Sequence, residues 1–155
     1  MNIMSENSKK NPEIDLMLKS TWLAVSKMYG ELAKVYDSTA VQALTLLKID
    51  PINGTKSTSL GPKMAVEPTS LTRVIKILEN QGYIYKEKSS KTDKREVRIK
   101  LTESGLKHRE ISKEVVVGFN NLIAKKVSKE KLKIFEEVME VINDSVQEMR
   151  TNNKI

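Results

Sequence analysis

Between Pro68 and Gln81 the sequence alternates apolar residues with polar side chains that could contact nucleic acid. Four apolar residues recur at steps of three and four and form one helical face that must lie on a core: Leu71, Val74, Ile75 and Leu78. The other faces carry short hydroxyls and long cations: Thr69, Ser70, Thr72, Arg73 and Lys76. Such side chains hydrogen-bond to base edges and phosphates when a helix enters the major groove by its N-terminal end.

The segments around this stretch predict a helix-turn-helix. The helix is expected to begin near Pro68, because a proline at the first helical position lacks an amide that has no intrahelical partner there. Gly82 is expected to end it as a left-handed cap. A shorter helix should precede it, from about Thr58 to Met64, limited by Pro62, which helices tolerate best in the first turn.

A basic hairpin is predicted after Gly82, where the apolar period changes from helical to alternating. One strand opens at Ile84, and a second places Val97, Ile99 and Leu101 on one face, with a polar segment at 89–93 between them. From Lys86 to Lys100 the segment carries seven cations and three acids. This surplus of like charge indicates an anionic partner.

Residues 60–105 resemble the DNA-binding domain of the MarR family of winged-helix transcription regulators. The motifs that carry the resemblance are Leu60-Gly61, Ser70-Leu71-Thr72-Arg73, Leu78-Glu79 with Gly82, Asp93-Lys94-Arg95, and Leu101-Thr102-Glu103-Ser104-Gly105. The sequence departs from the family pattern at Ala65, where a turn glycine is usual, at Glu67, where a better N-cap is common, and at Lys86, where Arg is frequent. The resemblance implies that Asp93 stabilises the wing by pairing with a basic residue. It also implies that Arg95 enters the minor groove or contacts its phosphates, with Lys91 and Lys94 beside it.

The composition excludes several other classes of function. The 155 residues suffice for a single protomer, and 27 Lys and Arg against 20 Asp and Glu give a net charge of +7, which favours a polyanion. The absence of cysteine excludes disulfides and thiolate sites, and His108 is the only histidine. With no acidic cluster at ligand or dyad spacing, we expect no enzyme, no metal and no cofactor. No apolar run approaches a membrane span, so we expect a cytoplasmic protein that does not enter membranes.

Long amphipathic helices are predicted at both ends of the chain. The C-terminal one has apolar residues at alternating steps of three and four, which is the seam of a coiled coil: Leu132, Phe135, Met139, Ile142, Val146 and Met149. We therefore expect residues 12–36 and 103–150 to be dimerisation helices and residues 38–102 to be a winged helix-turn-helix DNA-binding lobe. The alternative is a seam buried within one protomer.

These observations predict a mainly α fold with a small β wing, a winged helix-turn-helix whose terminal helices form a helical dimerisation region. The predicted function is a homodimeric, sequence-specific DNA-binding transcription regulator, a repressor, that binds a palindromic double-stranded operator. Ser70, Thr72 and Arg73 are the expected base-reading residues, and Thr69 and Lys76 are expected to contact phosphates.

An effector is implied by the resemblance, because regulators of this family usually respond to a small aromatic or anionic molecule. Aromatic and methionine side chains that could line its cleft are Trp22, Met28, Tyr29, Tyr36 and Phe119. The methionine would also suit an acyl chain, and ordinary core packing is the alternative. Two other functions stay open: a ligand-independent architectural DNA-binding protein, and a winged-helix adaptor that binds an acidic protein or RNA.

Overall fold

The computed structural model of the chain describes residues 13–88 and 96–152. Along this part of the chain the elements are α1 (Ile14–Lys34), α2 (Ala40–Lys48), β1 (Thr55–Lys56), α3 (Ser57–Met64), α4 (Pro68–Asn80), β2 (Ile84–Lys88), β3 (Val97–Leu101), α5 (Glu103–Ala124) and α6 (Lys129–Asn152). The chain divides into two compact units, Met1–Ser112 and Lys113–Ile155. The predicted mainly α fold with a β wing is confirmed.

The first unit holds one hydrophobic core, to which α2, α3, α4 and the sheet all contribute. Its members are buried apolar side chains: Leu46, Ile49, Leu60, Met64, Leu71, Ile75, Leu78, Ile84 and Ile99. Helix α4 supplies three of them, at the spacing of one helical face. The core therefore fixes which side of α4 faces inward.

Residue types explain how these helices begin and end. A capping box starts α2: the Gln42 amide donates to Thr39 Oγ1 over 3.2 Å, and the Thr39 amide donates to Gln42 Oε1 over 3.0 Å. At the end of α4, the Tyr83 amide donates to the Leu78 carbonyl, and the Gly82 amide donates to the Glu79 carbonyl. Gly82 has φ +73°, so the predicted left-handed glycine cap is confirmed.

Two backbone positions in the helix-turn-helix differ from expectation or carry strain. Pro62 is the sixth residue of α3, beyond the first turn, so this position has no amide to donate to the Thr58 carbonyl. Ala65 then adopts the left-handed conformation, with φ 51° and ψ 42°, at the turn where glycine is usual. A side chain in this conformation costs about 1–2 kcal/mol, so the turn is strained.

The sheet has three antiparallel strands in the order β1-β3-β2. In the predicted hairpin, Ile84 pairs with Leu101 and Lys88 with Val97. The strand β1, in which Thr55 pairs with Ile99, was not predicted. Two residues are too few to show an alternating pattern.

In the second unit, α6 is 24 residues long and has no buried residue. Its start is capped by Ser128, whose Oγ accepts a hydrogen bond of 3.3 Å from the Lys131 amide. Several large apolar side chains of α6 are exposed to solvent, among them Ile134, Phe135, Val138, Val141, Val146 and Met149. None of the helices between residues 13 and 152 that are described is long and apolar enough to cross a membrane.

Candidate nucleic-acid interface

Helix α4 presents its polar residues to solvent, opposite the face that enters the core. The five predicted contact residues are all exposed: Thr69, Ser70, Thr72, Arg73 and Lys76. The hydroxyl of Thr72 donates to the Pro68 carbonyl over 2.9 Å, so in this rotamer its oxygen can only accept from a base. The side chains of α4 thus form one surface of hydroxyls and cations.

The N-terminal end of α4 has no side-chain cap. Pro68 occupies the first helical position, as predicted, and Glu67 at the N-cap makes no side-chain cap hydrogen bond. Glu67 is therefore the weak cap that its residue type suggests. The amides of the first turn have no side-chain cap from Glu67, and such amides are suitable donors for a phosphate.

The C-terminal end of α4 is tied to the beginning of α5. The hydroxyl of Thr102 donates to the Gly82 carbonyl over 2.6 Å and accepts from the Gly105 amide over 3.0 Å, while the Thr102 amide donates to the Tyr83 carbonyl. A Cβ at Gly105 would overlap the Tyr83 carbonyl, so only glycine fits there. The His108 ring packs against the Tyr83 ring, with centroids 4.2 Å apart and the planes tilted by 37°. These contacts hold the end of α4 in place.

The cations on the described part of the hairpin are paired more extensively than their surplus suggested. Lys86 pairs with Glu79 of α4 at 3.1 Å, and Lys100 pairs with Glu87 at 2.9 Å. The hydrogen bond from Lys100 to Glu87 raises the pKa of the Lys100 amine, which stays charged. Acids of the hairpin and of α4 therefore pair with cations of the hairpin strands, and the charge of these strands is not all available to a partner.

Glu96 joins two further cations at the start of β3. Its carboxylate lies 2.8 Å from Lys56 Nζ and 3.0 Å from Arg98 Nε. The hydrogen bond from Lys56, with the charges of Lys56 and Arg98, lowers the pKa of Glu96. Sequence reasoning missed this cluster, although Glu96 directly precedes β3 and lies two residues before Arg98, the spacing that places side chains on one face of an extended backbone.

The predicted wing contacts Lys91, Lys94 and Arg95, and the wing-stabilising Asp93, lie in segment 89–95, outside the described residues. Their roles stay predictions. Over 13–88 and 96–152, no group of three or more acidic or histidine side chains is placed to hold a metal.

The predicted effector residues are distributed over both units. Trp22, Met28 and Tyr29 are on α1, Tyr36 follows that helix, and Phe119 is on α5 within the second unit. Trp22 is 66% exposed, so it is not part of the chain's own core. Tyr29 is partly buried, and burial raises the pKa of its hydroxyl.

Comparison with known proteins agrees with this geometry. Residues 39–97, from the cap of α2 to the first residue of β3, match the model of the MarR family. This segment of the chain, residues 39–97, is therefore a MarR-family winged-helix domain. Members of this family are transcription regulators and not enzymes, which confirms the predicted class: a DNA-binding transcription regulator.

Individual proteins that are similar to this chain are distant from it in sequence. The HTH-type transcriptional regulator SarZ of Staphylococcus haemolyticus (strain JCSC1435) is 29% identical over 101 residues, which cover 65% of this chain and 68% of SarZ. The solved MepR–DNA complex of S. aureus has a TM-score of 0.77 at 16% identity and covers 88% of this chain and 99% of MepR. The FabT–DNA complex of Streptococcus pneumoniae has a TM-score of 0.71 at 18% identity and covers 88% of this chain and 96% of FabT. At these identities the two structures show a shared fold.

Proposed function

We propose that the chain is a homodimeric repressor that binds a palindromic double-stranded operator through α4. The observation that carries the proposal is the exposed surface of hydroxyls and cations on α4, opposite a face that the core fixes. Two-fold symmetry would place two α4 helices in successive major grooves, roughly 34 Å apart. A regulator of this kind acts where the DNA is, so we expect the protein in the cytoplasm.

The residues of α4 would divide into two roles. Arg73 is suited to a bidentate contact with guanine, and Ser70 can both donate to and accept from a base edge. Thr72, whose hydroxyl donates within the helix, would accept from an amino group such as that of adenine or cytosine. Thr69 and Lys76 would hold phosphates, as would Lys91, Lys94 and Arg95 of the wing, with Asp93 steadying it.

The dimer is supported by the exposed apolar surface of α6. The predicted seam from Leu132 to Met149 is joined by a second apolar row, Ile134, Val138 and Val141, and together they cover about half of the helix circumference. Phe135 in the seam is 60% exposed. An apolar surface of this extent indicates an interface, and a helix with a coiled-coil seam is complementary to a second copy of itself. We therefore assign residues 12–36 and 103–150 to dimerisation and 38–102 to DNA binding.

A small effector would act at the aromatic and methionine residues predicted from the sequence. Trp22, Tyr29 and Tyr36 have flat apolar rings with a polar end, whereas Met28 and Phe119 are wholly apolar. Such side chains suit an aromatic, anionic or acyl molecule. Such a molecule releases the repressor from DNA only if it binds the DNA-free state more tightly.

Selection of bound duplexes from a random pool tests the proposal. The selection is repeated between about 50 and 200 mM salt, a range over which several phosphate contacts cost orders of magnitude in affinity. Analytical ultracentrifugation of the same protein gives its oligomeric state. We expect a dimer and an enriched palindrome with half-sites about one turn apart.

Three other outcomes would contradict the proposal. Salt-sensitive binding without enrichment would indicate an architectural protein, and no preference for duplex over RNA or an acidic protein would indicate an adaptor. A monomer at all concentrations would exclude the homodimer.

A further inference from the structure

The start of β3 is connected to the helix-turn-helix by side chains as well as by the sheet. Glu96 accepts from Lys56 at 2.8 Å and from Arg98 at 3.0 Å, and its own side chain is only 22% exposed. Lys56 is the last residue of β1 and also the N-cap residue of α3, the first helix of the helix-turn-helix. A single carboxylate therefore joins one hairpin strand to the residue at which α3 begins.

A second connection runs from the same cluster to the loop before β1. Nη1 of Arg98 lies 3.5 Å from the carbonyl oxygens of both Asn53 and Gly54. Gly54 has φ +69°, and a Cβ there would come within 2.7 Å of the Ile99 carbonyl oxygen. The loop thus lies directly against β3, where Glu96 holds the Arg98 side chain.

Asp50 shapes this loop from its other end. Its carboxylate accepts from the amides of Ile52 and Asn53, both at 2.8 Å, and these bonds lower the pKa of the Asp50 carboxyl. Its own amide donates to Thr55 Oγ1 over 2.9 Å. The carbonyls that face Arg98 consequently belong to a loop that is itself held in one conformation.

We propose that Glu96 is a positioning residue that fixes the wing relative to the helix-turn-helix and so increases discrimination between operator and other DNA. Glu96 follows Arg95 directly in the sequence, and one peptide bond sets their Cα atoms about 3.8 Å apart. A restraint on Glu96 therefore also limits where the backbone can lie at the adjacent residue, the predicted wing arginine. The proposal rests on the proposed DNA-binding function.

A purely electrostatic role for Glu96 leads to the opposite expectation. Replacing the carboxylate would remove one negative charge and release two cations, which strengthens binding to every DNA sequence and steepens its salt dependence. If Glu96 has a positioning role, replacing it should lower the affinity for the operator more than the affinity for other DNA. Only the operator complex requires α4 and the wing to make their contacts at the same time. The ratio of the two affinities separates these roles.

The experiment compares Glu96→Gln with Glu87→Gln. Both variants remove one carboxylate from an ion pair on the hairpin, but the Glu87 pair joins β2 to β3 and does not reach α3. We measure affinity for the selected operator and for an unrelated duplex at the same salt. Glu96→Gln should lower the ratio by roughly threefold to tenfold, in the lower part of the range over which interacting residues of a network couple, whereas Glu87→Gln should leave it unchanged.

Two further variants make the test specific. Glu96→Asp keeps the charge but shortens the reach to Lys56, so it should also lower the ratio without changing the salt dependence. Lys56→Met should lower the ratio, and combining it with Glu96→Gln should add little, because both remove the same connection. Equal ratios for Glu96→Gln, Glu96→Asp and the unmodified chain would overturn the proposal, as would Glu87→Gln lowering the ratio to the same extent.

Amide hydrogen exchange provides a test that does not use DNA. Glu96→Gln should speed exchange in the segments 53–57 and 96–100 relative to Glu87→Gln, because the first variant removes the side-chain connection from β3 to β1 and the loop and leaves only the backbone pairing. Unchanged exchange in both segments would overturn the positioning role. If the unmodified chain prefers no duplex, the proposed function fails, and hydrogen exchange alone decides whether Glu96 holds the strand.

Discussion

The DNA-binding region and the C-terminal helix use the same residue types for opposite purposes. In the first unit, apolar residues at helical spacing on α4 are buried, and Leu78 is fully enclosed. On α6 an apolar pattern at least as regular leaves Phe135 60% exposed and no residue buried. Periodicity predicts which residues share a face, and whether that face is covered depends on what else is present. The core of the first unit is complete within one chain, and the proposed dimer would explain why the apolar face of α6 is exposed in a single chain.

The largest expected effect comes from a cavity in the first region. Leu78→Ala removes a fully buried side chain from the core of the first unit, so it should lower the free energy of unfolding by about 2–5 kcal/mol. Urea unfolding at several protein concentrations measures this loss. Because the contacts are internal, the loss should be the same at each concentration. A loss that disappears at high protein concentration would contradict the self-sufficient core.

Phe135→Glu tests whether the exposed apolar face of α6 is an interface. Placing a charge in the seam of α6 should weaken self-association by about 2 kcal/mol or more, the size of an interface hot spot. Sedimentation at several concentrations measures the dissociation constant. Gln147→Glu introduces the same charge change on the polar face of α6 and should leave association unchanged. If both variants associate like the unmodified chain, α6 is not the interface.

Arg73→Ala tests the exposed polar face of α4, which is predicted to bind DNA and not a second chain. It should cost about 1–3 kcal/mol on the selected operator, relax specificity at one base position, and leave the dimer intact. Lys76→Ala is the control and should weaken binding to all sequences alike, with a salt slope lower by about one. Competition binding on single-base operator variants measures both. An equal loss on every sequence for Arg73→Ala would argue against base reading.

The smallest expected effect is the dependence of stability on acid. Lys56 and Arg98 lower the pKa of Glu96, so its stabilising contribution is fully present above the ordinary glutamate value of about 4.3 and is lost as the pH falls through the lowered value. Thermal unfolding between about pH 6 and pH 3 should show this loss. Glu96→Gln should flatten the curve in that window. An unchanged curve would mean that the Glu96 pairs do not contribute to stability.

Helix α4 and the hairpin were predictable from the sequence because their local residue preferences and their packing favour the same structure. Pro68 and Gly82 mark the ends of α4, and the change of period at Ile84 marks the hairpin. The polar surface of α4 followed from the same pattern, since the residues that are not on the core face must face outward.

What could not be predicted depends on contacts between distant segments. The ion pair between Lys56 and Glu96 joins residues forty positions apart, and β1 forms only because β3 is there to pair with it. The pairing of Lys86 with Glu79 likewise requires the angle between α4 and the hairpin. None of these contacts has a periodic signature in the sequence.

The strand order β1-β3-β2 has a consequence for how the protein behaves in a crowded solution. Each outer strand of a sheet exposes backbone groups that could pair with another chain and begin aggregation. One outer strand here is two residues long and continues directly into α3, and the other carries exposed Lys86 and Lys88. Short edges and edge lysines are both known ways to prevent such pairing. Both edges of the small sheet are therefore protected against pairing with a neighbouring chain.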